Sequence, residues 1–257
     1  MIGLQVDGRG VARLTLQRAE KHNALSAEMI AELHARAREI AERRDIRVVV
    51  LDAEGRSFCA GGDLAWMRAQ MEADAQTRAA GARALAEMLG ALNTLPQPVI
   101  GRVQGNAFGG GVGMACVCDV AVGAESAKFG LTETKLGLIP ATIGPYVVAR
   151  MGEVNARQVF MSGRNFDAGE AVRLGVLSKA VPDAELDAAV EAEVAPYLAC
   201  APGAVAEAKA YVRSLGPRID AEVIDRSIAA LVARWEGEEA PAGIAAFFDK
   251  RKAPWAE

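Results

Sequence analysis

Two glycine-rich turns hold the densest chemical information in this chain: Ser57-Phe58-Cys59-Ala60-Gly61-Gly62-Asp63-Leu64 and Gly105-Asn106-Ala107-Phe108-Gly109-Gly110-Gly111-Val112-Gly113. Each follows a short apolar run and precedes a helical pattern. Small residues let a ligand approach the backbone closely, and the first turn of a helix leaves N–H groups without intrahelical partners. Taken singly, either turn reads as close packing of a helix on a strand. Taken together, they can aim two backbone N–H groups at one oxygen, which is what an oxyanion hole requires. Nucleotide-phosphate binding fits less well. There is no Gly-Lys-Ser/Thr ending, and Gly109-Gly110-Gly111 gives no clean Gly-x-Gly-x-x-Gly register with a downstream ribose acid.

The other reactive side chains are few. Glu133 follows the second turn by some twenty residues, and a carboxyl there can move protons as a general acid or base; by itself it reads first as a surface loop residue. His22 and His34 pair with no serine or cysteine in a nucleophilic arrangement, which disfavours hydrolysis through an acyl-enzyme. Cys59, Cys116, Cys118 and Cys200 match no zinc or redox spacing, and Cys116 and Cys118 sit in an apolar run as core residues. No metal-ligand cluster is evident.

The elements that must position these groups follow from periodicity. Leu4–Val6 and Val11–Leu16 alternate around Asp7-Gly8-Arg9-Gly10 and predict a hairpin. Ser26 caps a helix with apolar positions Met29, Ile30, Leu33, Ala37 and Ile40. Val48–Leu51 suits a buried strand. A loop over Asp52–Gly62 and a long alanine-rich helix over Leu64–Leu95 follow. Pro98–Val103 then predicts a strand, a short helix runs from the second glycine turn to Cys116, and Val117–Val122 predicts another strand. Beyond Asn155 the chain reads as mostly helical. Asp167 caps a helix to Leu174, Val176–Val181 is a strand, and Asp183 begins a helix. Pro202, Asp220 and the stretch Gly243–Lys250 mark three more. Ala195-Pro196 or Ala201-Pro202-Gly203 is the candidate boundary between two regions.

Composition narrows the class. The 257 residues are 51% hydrophobic with a formal charge of −4, so a sizeable core is possible and no basic excess points to nucleic acid. Met1–Gln17 has no basic region followed by an apolar block, and Ala107–Cys118 is too short to span a bilayer. The expectation is a cytoplasmic protein with neither nucleic-acid nor membrane partners.

Five motifs in order carry a resemblance across essentially the whole chain: Lys21-His22-Asn23-Ala24-Leu25, Phe58–Leu64, Gly105–Gly111, Phe129–Glu133 with Leu136–Pro140, and Phe247-Phe248-Asp249-Lys250-Arg251. Together they resemble the enoyl-CoA hydratase/isomerase (crotonase) family. The resemblance implies an α/β fold, a crotonase-like spiral of ββα units over residues 1–195. A C-terminal helical oligomerisation region over 196–257 follows, with assembly as a homotrimer or hexamer (a dimer of trimers). It implies an acyl-CoA thioester substrate and no separate cofactor, since coenzyme A is part of the substrate.

By the same resemblance, the oxyanion donors fall on the N–H groups of Gly62 and Gly110, and the acid/base on Glu133. Coenzyme A contacts fall on Lys21, His22, Asn23, Ala24, Ala60, Gly61, Gly62, Asp63 and Leu64. Phe247 and Lys250 match positions that reach the adenine-phosphate end from an adjacent subunit. Where the archetypal hydratases carry another glutamate, this chain has Gly113; Asp119 and Glu125 do not replace it. One carboxylate suits an enoyl-CoA isomerase. The sequence around Asp63–Met67, Gln104–Gly113 and Ile139–Tyr146 instead resembles a bacterial methylglutaconyl-CoA hydratase-like branch sharing that absence. A catalytically inactive CoA-binding or RNA-binding member is the remaining reading, and Glu133 and the lack of a basic stripe count against it.

Overall fold

The computed structural model describes residues 1–256. The expected hairpin forms from β1 (Ile2–Val6) and β2 (Val11–Leu16), antiparallel, with Leu4 opposite Leu14. Ser26 caps α1 (Ala27–Glu42), its hydroxyl accepting from Met29 N–H at 3.3 Å. The chain then winds through three similar turns. The first is β3 (Val48–Ala53), β4 (Ser57–Cys59), α2 (Leu64–Glu72) and α3 (Ala75–Asn93). The second is β5 (Val99–Val103), β6 (Asn106–Phe108) and α4 (Gly110–Val117). The third is β7 (Val120–Ala124), β8 (Lys128–Gly130), a 3-10 turn over Glu133–Leu136, and α5 (Gly144–Met151). There follow α6 (Glu153–Phe160), β9 (Asn165–Asp167), α7 (Ala168–Arg173), β10 (Lys179–Val181), α8 (Leu186–Leu198), α9 (Pro202–Leu215), α10 (Ala221–Glu236) and α11 (Glu239–Phe248).

Each turn gives one strand to each of two sheets. The larger has the order β1-β2-β3-β5-β7-β10 and is parallel from β2 onward. The smaller has the order β4-β6-β8-β9, with β4, β6 and β8 parallel. Successive side chains of a strand face opposite ways. In β3, Val49 and Leu51 therefore enter the main core with Leu33 of α1 and Leu89 and Leu92 of α3. Val48 and Val50 meet Leu186, Val190 and Val194 of α8 on the other face. A parallel sheet covered on both faces accounts for the near-continuous apolar runs of its strands.

Several boundaries differ from the sequence expectation. The helix over Leu64–Leu95 is two helices, because the Asp74 carboxylate takes the Thr77 N–H at 2.7 Å and starts a new helix. Asp52 and Ala53 belong to β3, and the expected loop contains β4. Val117 ends α4, so the following strand begins at Val120; Val176 and Leu177 form a buried turn, so β10 begins at Lys179. Pro196 lies within the last turn of α8, which places the break between helices at Ala201-Pro202.

The C-terminal helices divide into two roles. α10 and α11 fold back onto their own chain. Arg83 of α3 pairs with Asp225 of α10 at 2.6 Å, and Arg234 donates to the Gly137 carbonyl at 3.0 Å. α9 buries none of its residues and leaves Tyr211, Val212 and Leu215 exposed, while Lys209 anchors it to Asp119 at 2.7 Å.

Candidate active site

The smaller sheet explains why three distant segments meet. β6 lies between β4 and β8, with Cys59 in register with Ala107 and Phe108 with Gly130. All three strands run the same way, so the residues leaving their C-terminal ends emerge side by side: Ala60–Gly62, Gly109–Gly110 and Leu131–Glu133. The C-terminal edge of parallel strands is where α/β proteins place ligands. Here these residues border an apolar cleft of about 460 Å³, a volume suited to a small-molecule site. Close approach of the two turns requires small residues, since a β-carbon on Gly111 would stand 2.5 Å from the Cys59 carbonyl oxygen.

The two expected donors are open. A parallel bridge joins Leu25 to Gly62, in which Leu25 N–H reaches the Gly61 carbonyl at 2.7 Å and Asp63 N–H reaches the Leu25 carbonyl at 3.0 Å. Successive amides of an extended segment point opposite ways, so Gly62 N–H faces away from Leu25. Gly110 is the first residue of α4, where the helix provides no acceptor. Among the described residues, neither N–H has a hydrogen-bond partner, and both residues line the cleft.

Glu133 completes the group. It opens the 3-10 turn after β8, and its Oε2 is fully occluded without a hydrogen-bond partner. Burial pushes its carboxyl up to about 7, because a charged carboxylate loses its hydration there. A group titrating near neutrality can both accept and donate a proton. Its neighbour Gly109 has a positive φ of 48°, and a β-carbon there would come within 2.9 Å of Glu133 Oε1.

The space beside Gly113 is filled. A β-carbon at Gly113 would meet Ile143 Cγ2 at 2.8 Å and Leu89 Cδ1 at 3.6 Å. Ile143 therefore occupies the direction a longer side chain from position 113 would take, and that wall is apolar. Asp119 is engaged elsewhere, accepting from Val99 N–H and from Lys209, and Glu125 is exposed at a strand end.

The structure sorts the expected coenzyme contacts. Ala60, Gly61, Gly62 and Leu64 border the cleft. Asp63 is buried; its Oδ1 caps α2 through Ala65 and Trp66 N–H, and its Oδ2 pairs with Arg18 at 2.9 Å. Asn23 is also a structural group: its amide donates to the carbonyls of Glu54 and Ser57, both at 2.9 Å, and its Oδ1 accepts from Arg18 N–H. Ala24 is buried behind it. His22 sits beside Ser57 Oγ at 3.2 Å, and Lys21 is exposed outside the cleft wall. The two segments are nonetheless joined, since Ala60 N–H donates to the His22 carbonyl at 3.0 Å. Phe247 lines the cleft of its own chain and is half exposed, and Lys250 lies outside the wall.

Sequence reasoning missed part of the wall. Trp66 and Met67 of α2, Leu231 and Trp235 of α10, and Thr142 and Ile143 all border the cleft. So does Lys135, the one basic side chain among the described lining residues. The apolar positions Ile224, Ile228, Leu231 and Trp235 of α10 show helical spacing in sequence, but nothing local tells that they return to a cleft built far earlier in the chain. Among the described residues no group of three or more histidine, cysteine or acidic side chains could hold a metal ion. No helix there is long and apolar enough to cross a membrane.

Comparison with known proteins identifies the family and the fold. Residues 7–257 match the family described as Enoyl-CoA hydratase/isomerase. The enoyl-CoA hydratase ACTT6 of Alternaria alternata is 34% identical over 242 residues, covering 93% of this chain and 78% of that protein. The crystal structure of an enoyl-CoA hydratase from Shewanella pealeana superposes with a TM-score of 0.81 at 36% identity, covering 99% of this chain and 95% of the other. The structure of Pseudomonas aeruginosa AtuE gives a TM-score of 0.81 at 36% identity, covering 100% and 99%. By its family match over nearly its whole length, the chain belongs to the enoyl-CoA hydratase/isomerase family.

Proposed function

We propose that this enzyme hydrates a short, branched 2-enoyl-CoA, of the kind a methylglutaconyl-CoA-type substrate represents, with Glu133 as the sole acid/base. The observation that carries the reading is the juxtaposition of a carboxyl whose Oε2 is buried and unpartnered with two unpartnered backbone donors at adjoining strand ends. With the thioester oxygen on Gly62 and Gly110 N–H, Glu133 takes a proton from water as the water oxygen bonds to C3. The C2=C3 electrons pass to the carbonyl, and the two donors hold the resulting enolate. Glu133 then returns that proton to C2, and the carboxylate is regenerated. One such donor lowers the barrier by roughly 3 kcal/mol.

Lys135 supports the finer substrate assignment. It is the basic group of the cleft wall, and no carboxylate of the described residues pairs with it. Lys135 is exposed at the cleft wall, where a distal carboxylate on the acyl chain would find a cationic partner. Coenzyme A arrives as part of the substrate and no further cofactor is invoked. Assembly into trimers or hexamers draws its support from α9, whose Tyr211, Val212 and Leu215 remain uncovered.

An isomerase is the second reading, favoured by the apolar filling beside Gly113, which leaves one carboxylate. Absorbance of the conjugated thioester separates the two. Addition of the enzyme to a 2-enoyl-CoA lowers it if hydration occurs. A rise with a 3-enoyl-CoA and no change with the 2-enoyl ester would establish isomerisation instead.

A further inference from the structure

The cleft contains a second polar group with nothing to bind. Thr142 is 4% exposed, borders the cleft, and its Oγ1 has no hydrogen-bond partner among the described residues. A buried hydroxyl without a partner costs stability. Apart from the Glu133 carboxyl, it is the only lining side chain with such an atom among the described residues. Its position in the chain is informative. The next residue, Ile143, packs on Gly113 and fills the room where a carboxylate from that helix would reach. The same loop thus closes one polar position with an aliphatic side chain and supplies a hydroxyl one residue away.

We infer that Thr142 holds the water that Glu133 deprotonates, taking the place of a second carboxylate. The inference rests on the hydratase reading above. A water adding to C3 gives one O–H to Glu133 and one lone pair to the carbon, so its other O–H needs an acceptor. Thr142 Oγ1 is occluded, and a χ1 rotation turns it to the cleft, where it accepts that O–H and fixes the lone pair on C3. The hydroxyl remains protonated throughout and gains or loses no charge. Proton transfer at C2 alone involves no water, so Thr142 has no part in it.

That distinction supplies the test. Thr142→Val keeps the shape and removes the hydroxyl; Thr142→Ser keeps the hydroxyl. Hydration of a 2-enoyl-CoA is measured beside exchange of the C2 protons of butyryl-CoA with deuterated water. Exchange needs Glu133 and the two N–H donors but no nucleophilic water. Thr142→Val should lose roughly ten- to a hundredfold in hydration, the effect of one hydrogen bond made to a reacting group. Exchange should stay within about twofold of the parent, and Thr142→Ser should recover most hydration. Full hydration by Thr142→Val overturns the assignment. Equal loss of both activities also overturns it, by making Thr142 a structural residue. If the parent enzyme exchanges C2 protons but hydrates nothing, the hydratase reading fails and the role of Thr142 fails with it.

Discussion

The Glu133 carboxylate rests against the Cα of Gly109, so closely that an added β-carbon would lie 2.9 Å from Oε1. Gly109 also has a positive φ and precedes the N–H of Gly110. One glycine therefore sets the spacing between the proton-transfer group and one of the two oxyanion donors. Gly109→Ala should move the carboxylate and strain the backbone together. The expected result is a loss of kcat of roughly a hundredfold or more, with KM changed far less, measured by steady-state hydration.

Glu133→Gln should lower turnover by roughly 10²–10⁴ while an acyl-CoA ester still binds, as read by calorimetry. In the parent enzyme the carboxylate form is the base, so kcat/KM should rise with pH through about 7, where burial has moved this group.

Stability should respond in the opposite sense. The folded-state value of about 7 exceeds the ordinary value of 4.5, so the folded state binds the proton more tightly. Stability from this group is full below pH 4.5 and is lost as pH rises through about 7. Glu133→Gln should then melt above the parent at pH 8, by up to about 3 kcal/mol, and match it at pH 4. Equal melting at both pH values would mean that the carboxyl is not buried as described.

The two oxyanion glycines should tolerate substitution differently. A β-carbon on Gly110 would stand 2.6 Å from Leu25 Cδ1, whereas one on Gly62 meets Met67 and Trp66 at 3.5 and 3.6 Å, an ordinary contact. Gly110→Val should abolish hydration by displacing Leu25 and the donor. Gly62→Ala should fold and keep most activity, because the N–H is backbone and its surroundings have room.

Lys135→Met should raise KM for a 2-enoyl-CoA carrying a distal carboxylate by roughly two- to fivefold, the effect of one exposed ion pair. KM for crotonyl-CoA should be unchanged. Equal KM changes for both would remove the case for a charged acyl group.

Asn23→Ala should act on stability alone. It strips hydrogen bonds from the carbonyls of Glu54 and Ser57 and from Arg18 N–H. About 3 kcal/mol is expected, a fall in Tm of roughly 6–12 °C. A thermal melt checks this, with KM for the coenzyme ester close to the parent's.

Sequence legibility followed the range of the interactions. Ser26, Asp167 and Asp220 were readable as caps because a cap and its N–H lie three residues apart. The glycine turns were readable because their composition is local. β4, β6 and β8 were not, since three-residue strands show no periodicity and owe their existence to pairing with one another. Yet these short strands bring Gly62, Gly110 and Glu133 together. The resemblance puts Asn23 at the coenzyme; its side chain also brackets two loops, a role that sequence does not show because its partners, Glu54 and Ser57, lie far along the chain. The break at Asp74 had a local signal, an acid three residues before Thr77, hidden by the alanine-rich run around it.

That break has an evolutionary consequence. α3 is embedded by Ala82, Ala86, Met88, Leu89 and Leu92, whereas α2 buries Gln70 alone and presents Trp66 and Met67 to the cleft. Had one rod run from 64 to 95, any change in the wall would have levered on the core. With the chain hinged between them, α2 behaves as a replaceable panel. Selection can recut the acyl chamber there, at small cost to folding, while the foundation beneath it stays the same.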